Sequence, residues 1–562
     1  MITSTRRWRI LAAATIALLV PAAAAAPAHS APADDPPLVK ALKAQAELFK
    51  QRRITSSLQD GYPGGLSIAA GGTMSCSTAT PTLWCWGAGD PDPATPATPI
   101  EVAGTVAAGR AHQCVLQWFD ESDEGGDLYC WGDNTYGQVG DGTTTDRPAP
   151  VKVLDHVLQV AAGADHTCAV LDDQTLNCWG RNDSGQLGQG SVGVPVTSPQ
   201  AVPGLTDDVI DLAAGGDTTC VIDENLVAGC WGSNSDGQIG DGNVSATPVP
   251  TPTPVDVSGV PNADLTQITV GARHTCATTE RGKAICWGSD AHGQLGDGTP
   301  LTDHPLPVVV PGLSDLYLIS AGGDSNCAID QDGVATCWGD NGGGQLGVGD
   351  RVDRPAPAAV DMTKVLGSPI LADLIGVDEG MLAEISIGAG HACAIDTGGN
   401  VYCWGANADG QLGDGTTTDH LVPAPTRLLP GLATGVQAQA RDAEIGVDWD
   451  APADLGAGTF DTYGVIAVAE KEFEQCVSDE TGCTITNLVN DQEYAIFVAT
   501  VTSAGAAISP AVRATPHGQP SPAPVAGGGG GQLPITGAAI SLLLAIGGAM
   551  IIGGWLIRRR AS

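Results

Sequence analysis

Fourteen of the sixteen cysteines fall into seven pairs: Cys76 with Cys85, Cys114 with Cys130, Cys168 with Cys178, Cys220 with Cys230, Cys276 with Cys286, Cys327 with Cys337, and Cys393 with Cys403. Five of these pairs have nine residues between them. Two chemistries suit such pairs, a zinc site or a disulfide. Structural zinc favours two to four residues between paired ligands, so the longer spacing argues against it. Nine residues instead make two strands and a tight turn. Facing residues at a non-hydrogen-bonded site then have Cα atoms about 4.5 Å apart, which is within disulfide range. Seven hairpin bridges are therefore expected, each closing about eleven residues and worth roughly 3 kcal/mol in the chain-entropy model. Cys476 and Cys483 make an eighth pair, and so many oxidised pairs point to export from the cytoplasm.

Other candidate chemistry is weaker. The sequence has no HExxH, no GxSxG and no phosphate loop ending in GK[ST], so no catalytic residue is assigned and no cofactor is expected. His112, His166, His274 and His391 recur at one repeat position, with Met74, Thr218 and Ser325 there in other repeats, so a ring of metal ligands would be incomplete. They are read as packing or hydrogen bonding within the repeat. Asp-Gly at Asp141, Asp241, Asp297 and Asp414 is read as a turn rather than a calcium cage, and no metal site is assigned.

The elements that carry the cysteines repeat. Cys-Trp-Gly or a close variant places Trp at 86, 131, 179, 231, 287, 338 and 404, at intervals of 45 to 66 residues. A unit of about fifty residues cannot bury its own apolar face, so it must stack on neighbours in a propeller or solenoid. Within Leu158 to Gly190 an apolar strand ends in Ala-Ala-Gly and is followed by Asp165-His166-Thr167-Cys168-Ala169-Val170. A turn, Thr175 to Cys178, Trp179-Gly180 and Gly185-Gln186-Leu187-Gly188 complete the unit. This resembles the regulator of chromosome condensation repeat, GxxHTxAL, a strand ending in WG, then NxxGQLG. Gly-Gln-Leu/Ile/Val-Gly begins at Gly137, Gly185, Gly237, Gly293, Gly344 and Gly410, and the resemblance covers residues 66–430. It implies a seven-bladed β-propeller. The first unit departs after Trp86-Gly87 into Pro-rich sequence, so its outer part is expected to be irregular.

The two ends read as addresses. Arg6, Arg7 and Arg9 precede an apolar run from Ile10 to Val20 and small residues through Ala33, the pattern of a secretory signal peptide over 1–33. Residues 34–65 form a leader, with a short amphipathic helix from Pro36 to Arg53. Beyond the propeller, 431–515 alternates as strands. Trp449 followed by Pro452, Tyr463, Thr486 to Leu488 before Tyr494, and Ala514-Thr515-Pro516 resemble a fibronectin type III β-sandwich, which implies a spacer or adhesive module and is read here as a spacer. A Pro/Gly-rich linker spans 516–532. In 533–562, Leu533-Pro534-Ile535-Thr536-Gly537 precedes twenty mostly apolar residues and Arg558, Arg559 and Arg560. It resembles the LPxTG sorting signal. The resemblance implies sortase cleavage after Thr536 and attachment to peptidoglycan, with the C-terminal transmembrane helix as the precursor's only membrane contact.

Net charge bounds the partners. The chain carries 25 basic and 63 acidic residues, a net −38; removing the two processed ends takes away six Arg and leaves 19 against 63, or −44. Such a surface repels phosphate backbones, so nucleic acid is not expected as a partner. Function should sit where a unit breaks the repeat, because loops on one propeller face make an exposed binding surface. The hairpin between Cys114 and Cys130 does so by inserting Trp118, Phe119, Asp120, Glu121, Asp123 and Glu124, aromatic anchors beside carboxylates that suit a basic protein patch or a glycan. The apolar connection from Met362 to Leu382 is a second break. The reading is an all-β, non-enzymatic, wall-anchored binding or adhesion protein. The alternative is a secreted-type propeller inhibitor of an extracellular enzyme such as β-lactamase.

Overall fold

The computed structural model describes residues 67–518, apart from 79–82, 89, 95–102, 118–124, 262, 299–300, 363–381, 397–399, 429–430, 457–459, 470–471, 503–504 and 510. The signal peptide, leader, sorting signal and most of the Met362 to Leu382 connection lie outside these residues. The regular elements among the described residues are all strands.

Each unit puts four strands in sequence order into one antiparallel sheet. Unit 4 shows the pattern with Val209–Gly215, Thr218–Asp223, Ala228–Asn234 and Ser245–Pro254. Apolar residues on both faces suit a sheet covered on both sides. Five sheets have four strands. The sixth has seven, because the strand Arg147–Ala162 is the outermost strand of one unit and the innermost of the next. Within that strand His156 has φ 58°, a left-handed residue that turns the chain between its two partners. In unit 1 an outer strand does form, Asp90–Ala94, but it is short and its pairing shifts register. Its Pro91 and Pro93 alternate with residues that keep their N–H groups.

All seven cysteine pairs expected from the spacing are cystines, directly cross-strand with Cα–Cα distances of 4.1 Å. Cys76 is bonded to Cys85, Cys168 to Cys178, and Cys220 to Cys230. Cys276 is bonded to Cys286, Cys327 to Cys337, and Cys393 to Cys403. The expected loop is one residue short in the first of these, where eight residues rather than nine separate Cys76 from Cys85. Cys114 still faces Cys130 although fifteen residues separate them, because the ladder runs on to Gln117↔Asp127 and the extra residues lie beyond it.

The apolar core sits between sheets. Ile222 and Ile239 of unit 4 pack with Ile268, Ile285 and Trp287 of unit 5, and each adjacent pair of units shares such a cluster. The first and last sheets pack on each other in the same way through Trp86, Ile395 and Leu412, so the sheets close into a ring.

Both edges of each sheet are managed. The outermost strands carry prolines at alternate positions, as in Pro248, Pro250, Pro252 and Pro254, which removes N–H groups that could pair with another chain. The innermost strands are capped by side chains from a neighbouring unit. Ile268 N–H donates to Asp211 Oδ2 (2.6 Å), Ile319 N–H to Gln267 Oε1 (2.9 Å), Ile68 N–H to Glu384 Oε1 (3.1 Å) and Val106 N–H to Ser67 Oγ (3.3 Å).

Residues 434–514 form two facing sheets. Thr434–Arg441, Glu444–Asp450 and Gly482–Thr486 make one; Glu472–Ser478, Phe460–Ala469, Tyr494–Thr502 and Gly505–Ile508 make the other, with Val512–Ala514 on Tyr494–Thr502. Between them lie Val447, Trp449, Tyr463 and Ile496, the Trp449 and Tyr463 rings meeting edge-on at 5.2 Å. The expected eighth cystine, between Cys476 and Cys483, ties one sheet to the other. The Arg427 guanidinium on Asp454 (Nε to Oδ2, 2.7 Å) holds this body to the last unit of the ring.

Candidate functional site

The hairpin insertion Trp118, Phe119, Asp120, Glu121, Asp123 and Glu124 lies outside the described residues, but its base is placed. Gln117 pairs with Asp127, and Lys152 Nζ stands 2.6 Å from Asp127 Oδ2 and 2.5 Å from Asp155 Oδ1. Hydrogen bonds to Asp127 and Asp155 raise the Lys152 ammonium pKa, so the cation at this base is already engaged. The insertion leaves from the turn between second and third strands, the end of the sheet opposite the GxxH turns.

At the other end, the GxxH and WG turns bring charges across the seams between units. Arg110 places one nitrogen 2.7 and 2.8 Å from the two oxygens of Asp165 in the next unit. Arg181 approaches Asp165 at 3.5 Å, bonds Asp183 at 2.8 Å, and lies over the Tyr136 ring at 5.2 Å. Asp165 is 1% exposed, and burial raises its carboxyl pKa despite the two guanidinium groups. Farther round, Arg273 pairs with Asp324 (3.3 Å) and Arg351 with Asp419 (2.7 Å).

One group among the described residues has metal-ligand spacing. His292 Nδ1 lies 3.0 Å from Asp353 Oδ2 and 3.8 Å from Asp340 Oδ1. The hydrogen bond to Asp353 raises the imidazole pKa, while Gln345 Nε2, Gly342 N–H and Asn341 N–H already donate to the two carboxylates. The arrangement is that of an ion pair across a seam.

The four recurring histidines do a different job. His112 Nε2 meets Thr167 Oγ1 (2.9 Å), His166 Nε2 meets Thr219 Oγ1 (2.8 Å), His274 Nε2 meets Asn326 Oδ1 (2.9 Å), and His391 Nε2 meets Ser75 Oγ (2.7 Å), each in the next unit round the ring. Thr167 gives its only hydroxyl proton to the Gln138 carbonyl (2.8 Å), and Thr219 and Ser75 do the same to Gln186 and Gln411. The imidazoles must therefore donate from Nε2, leaving Nδ1 unprotonated. No Nδ1 among the four has a hydrogen-bond partner within the described residues. A Cβ added at Gly163 would stand 2.5 Å from His166 Nδ1, and Gly109 and Gly271 approach their histidines as closely, so a side chain at these glycines would collide with the imidazole. Burial lowers His112 and His391 to about 4 and His166 to about 3.

The Gln carbonyls of this motif also accept the indole N–H of the next unit: Trp179 donates to Gln138 (3.0 Å), Trp231 to Gln186 (2.9 Å), Trp287 to Gln238 (3.0 Å), Trp338 to Gln294 (3.1 Å), Trp404 to Gln345 (2.8 Å) and Trp86 to Gln411 (2.9 Å). The GQLG and WG motifs are thus two halves of one joint between units. A family model described as the RCC1-like domain matches residues 50–373, and the regulator of chromosome condensation (RCC1) repeat matches 383–411 and 398–440. The chain belongs to the RCC1-like family. Among similar RCC1-like proteins, the ultraviolet-B receptor UVR8 of Arabidopsis thaliana is 28% identical over 363 residues, 61% of this chain and 76% of that one. The mitochondrial RCC1 domain-containing protein RUG3 of the same plant is 29% identical, over 59% and 76%. Yeast RCC1 (Prp20), solved bound to Kap60, is similar in fold, with a TM-score of 0.51 at 19% identity over 66% of this chain and 86% of that one. The RCC1-like ring is a β-propeller.

Proposed function

We propose that this is an exported, non-enzymatic binding protein: a seven-bladed propeller and a fibronectin type III-like spacer, joined to peptidoglycan by sortase at Thr536, that engages an extracellular protein or glycan. The observation that carries this reading is the complete pairing of the sixteen cysteines, with none free, a state that the cytoplasm does not maintain. The binding surface is assigned to the Trp118 to Glu124 insertion. It is the one hairpin turn lengthened to fifteen residues between cysteines, and it departs from an otherwise regular repeat. Seven staples suit a surface that must keep its shape outside the cell.

Two measurements test the reading. Wall fractions of cells expressing the full chain should contain the protein, and a Thr536→Ala variant should shift it to membrane and medium; equal distribution of the two would overturn the anchoring. Binding of the purified chain to arrays of glycans and basic proteins should fall at least tenfold in a variant carrying both Trp118→Ala and Phe119→Ala, and unchanged binding removes the assigned surface. Inhibition of purified β-lactamases would favour the inhibitor reading instead.

A further inference from the structure

Every seam between consecutive units is also spanned by the chain, except the one between the last sheet and the first. That closing seam is held by Ile68 N–H on Glu384 Oε1 (3.1 Å), Ala70 N–H on Ser386 Oγ (3.0 Å), Ala389 N–H on the Gly71 carbonyl (3.2 Å) and His391 Nε2–H on Ser75 (2.7 Å). No strand is exchanged across it, since each of the two sheets is built from four consecutive strands.

The seams differ in what titrates at two equivalent positions, the mid-strand cap and the hub residue seven places on. The seams after units 1 and 2 have Ser67 with Met74 and Thr105 with His112. The seam after unit 3 has Gln159 and His166, and the seam after unit 5 has Gln267 and His274; the seam after unit 4 has Asp211 and Thr218, and the seam after unit 6 has Leu318 and Ser325. Only the closing seam carries both an acid and an imidazole at these places, Glu384 and His391. We propose that Glu384 and His391 are an opposed pair that keeps ring closure level across pH, the carboxyl loosening the seam as pH rises and the imidazole as pH falls.

The surroundings support opposed titrations. Glu384 is recessed and meets Ser67 Oγ (3.4 Å) and Ile68 N–H, with no cation beside it among the described residues; burial raises it to about 7. His391, 0% exposed, meets Ser75, and burial alone lowers it to about 4. The titratable group packed from the preceding sheet, Tyr317, gives its hydroxyl to the Leu382 and Ala383 carbonyls rather than to either residue. A carboxyl at about 7 closed and 4.5 open favours opening about 30-fold more at pH 8.5 than at pH 5.5. An imidazole at about 4 closed and 6.5 open favours opening about tenfold more at pH 5.5 than at pH 8.5. The two nearly cancel, leaving about a threefold change.

Hydrogen–deuterium exchange of the full chain at pH 5.5, 7.0 and 8.5, corrected for intrinsic rates, reads the opening constant at the Ile68, Ala70 and Ala389 amides. The wild type should vary by about threefold. Glu384→Gln should open about tenfold more at pH 5.5 than at 8.5, and His391→Thr about 30-fold more at pH 8.5 than at 5.5. A level profile in either variant, or slopes of the same sign in both, overturns the proposal. Should a variant fail to fold, the wild type still decides. The Ile268 amide, capped by Asp211 in a seam that has Thr218 in place of an imidazole, should open about 30-fold more at pH 8.5 than at pH 5.5 while Ile68 changes only about threefold; equal losses overturn the pairing.

Discussion

Trp231 Nε1 donates to the Gln186 carbonyl at 2.9 Å, and the same oxygen accepts Thr219 Oγ1 at 2.8 Å. One carbonyl of the GQLG motif thus receives two donors from the next unit, and the last glycine of that motif, Gly188, lies under the indole. Trp231→Phe should lower stability by about 2 kcal/mol through the lost hydrogen bond and volume. Gly188→Ala should cost about 2–4 kcal/mol, because its φ of +69° disfavours a side chain and the new Cβ would sit 2.7 Å from Trp231 Nε1. Denaturant unfolding at pH 7 checks both, and a neutral Gly188→Ala would contradict the joint.

The hub histidines predict an acid limb. A histidine whose folded pKa lies below 6.5 binds its proton more readily when unfolded, so its contribution is complete above pH 6.5 and is lost as pH falls toward the folded value. For His166, lowered to about 3, the loss approaches about 1.4 kcal/mol per pH unit between pH 6 and 4. His166→Thr, the residue type that unit 4 uses at this place, removes a bond at every pH but also removes that slope. Stability of the two proteins should converge on going from pH 7 to pH 4, and parallel curves would show that folding does not lower the His166 pKa.

The cystines predict chemical silence. The denatured, unreduced chain purified from its native compartment should take up no alkylating reagent, and reduction should expose sixteen thiols. Replacing Cys220 and Cys230 by alanine should lower stability by about 3 kcal/mol, the value for an eleven-residue loop. Free thiols at the hairpin positions would remove both the staples and the argument for export.

The ring was legible because its signals repeat. Cys, Trp and Gly at fixed offsets, read seven times, locate hairpins that a single copy would leave ambiguous. The strands 444–449, 463–469 and 494–502 were legible by alternation; Thr434–Arg441 was not, although Val436, Ala438 and Ala440 alternate with Gln437, Gln439 and Arg441, because small alanines give a weak apolar signal, and Glu472–Ser478 has no regular apolar period. The histidines could be assigned to the repeat, but not their partners, which sit in the next unit round the ring. The inner-strand caps were missed although a signal exists: Val-Leu-Gln-Val, Val-Ile-Asp-Leu, Leu-Thr-Gln-Ile and Leu-Ala-Glu-Ile each interrupt an apolar strand at the same place. A polar residue there has meaning only once the neighbouring edge strand is known.

The caps make a prediction of their own. Gln267 Oε1 accepts the Ile319 N–H at 2.9 Å, so Gln267→Leu leaves a backbone donor on an inner edge without its partner and should cost about 1–2 kcal/mol at any pH. Gln267→Glu keeps the acceptor but adds a carboxyl in the setting that pushes Asp211 up to about 7. A carboxyl raised on folding is free of penalty below its unfolded pKa, where both states are protonated; the penalty grows as pH rises from there to the folded value and is complete above it. Gln267→Glu should therefore match the wild type near pH 4 and lose stability steadily up to about pH 7, then level off. A loss that was constant from about pH 4 to 8 would mean that the inner edge solvates a charge freely, and the cause assigned to Asp211 and Glu384 would fall with it.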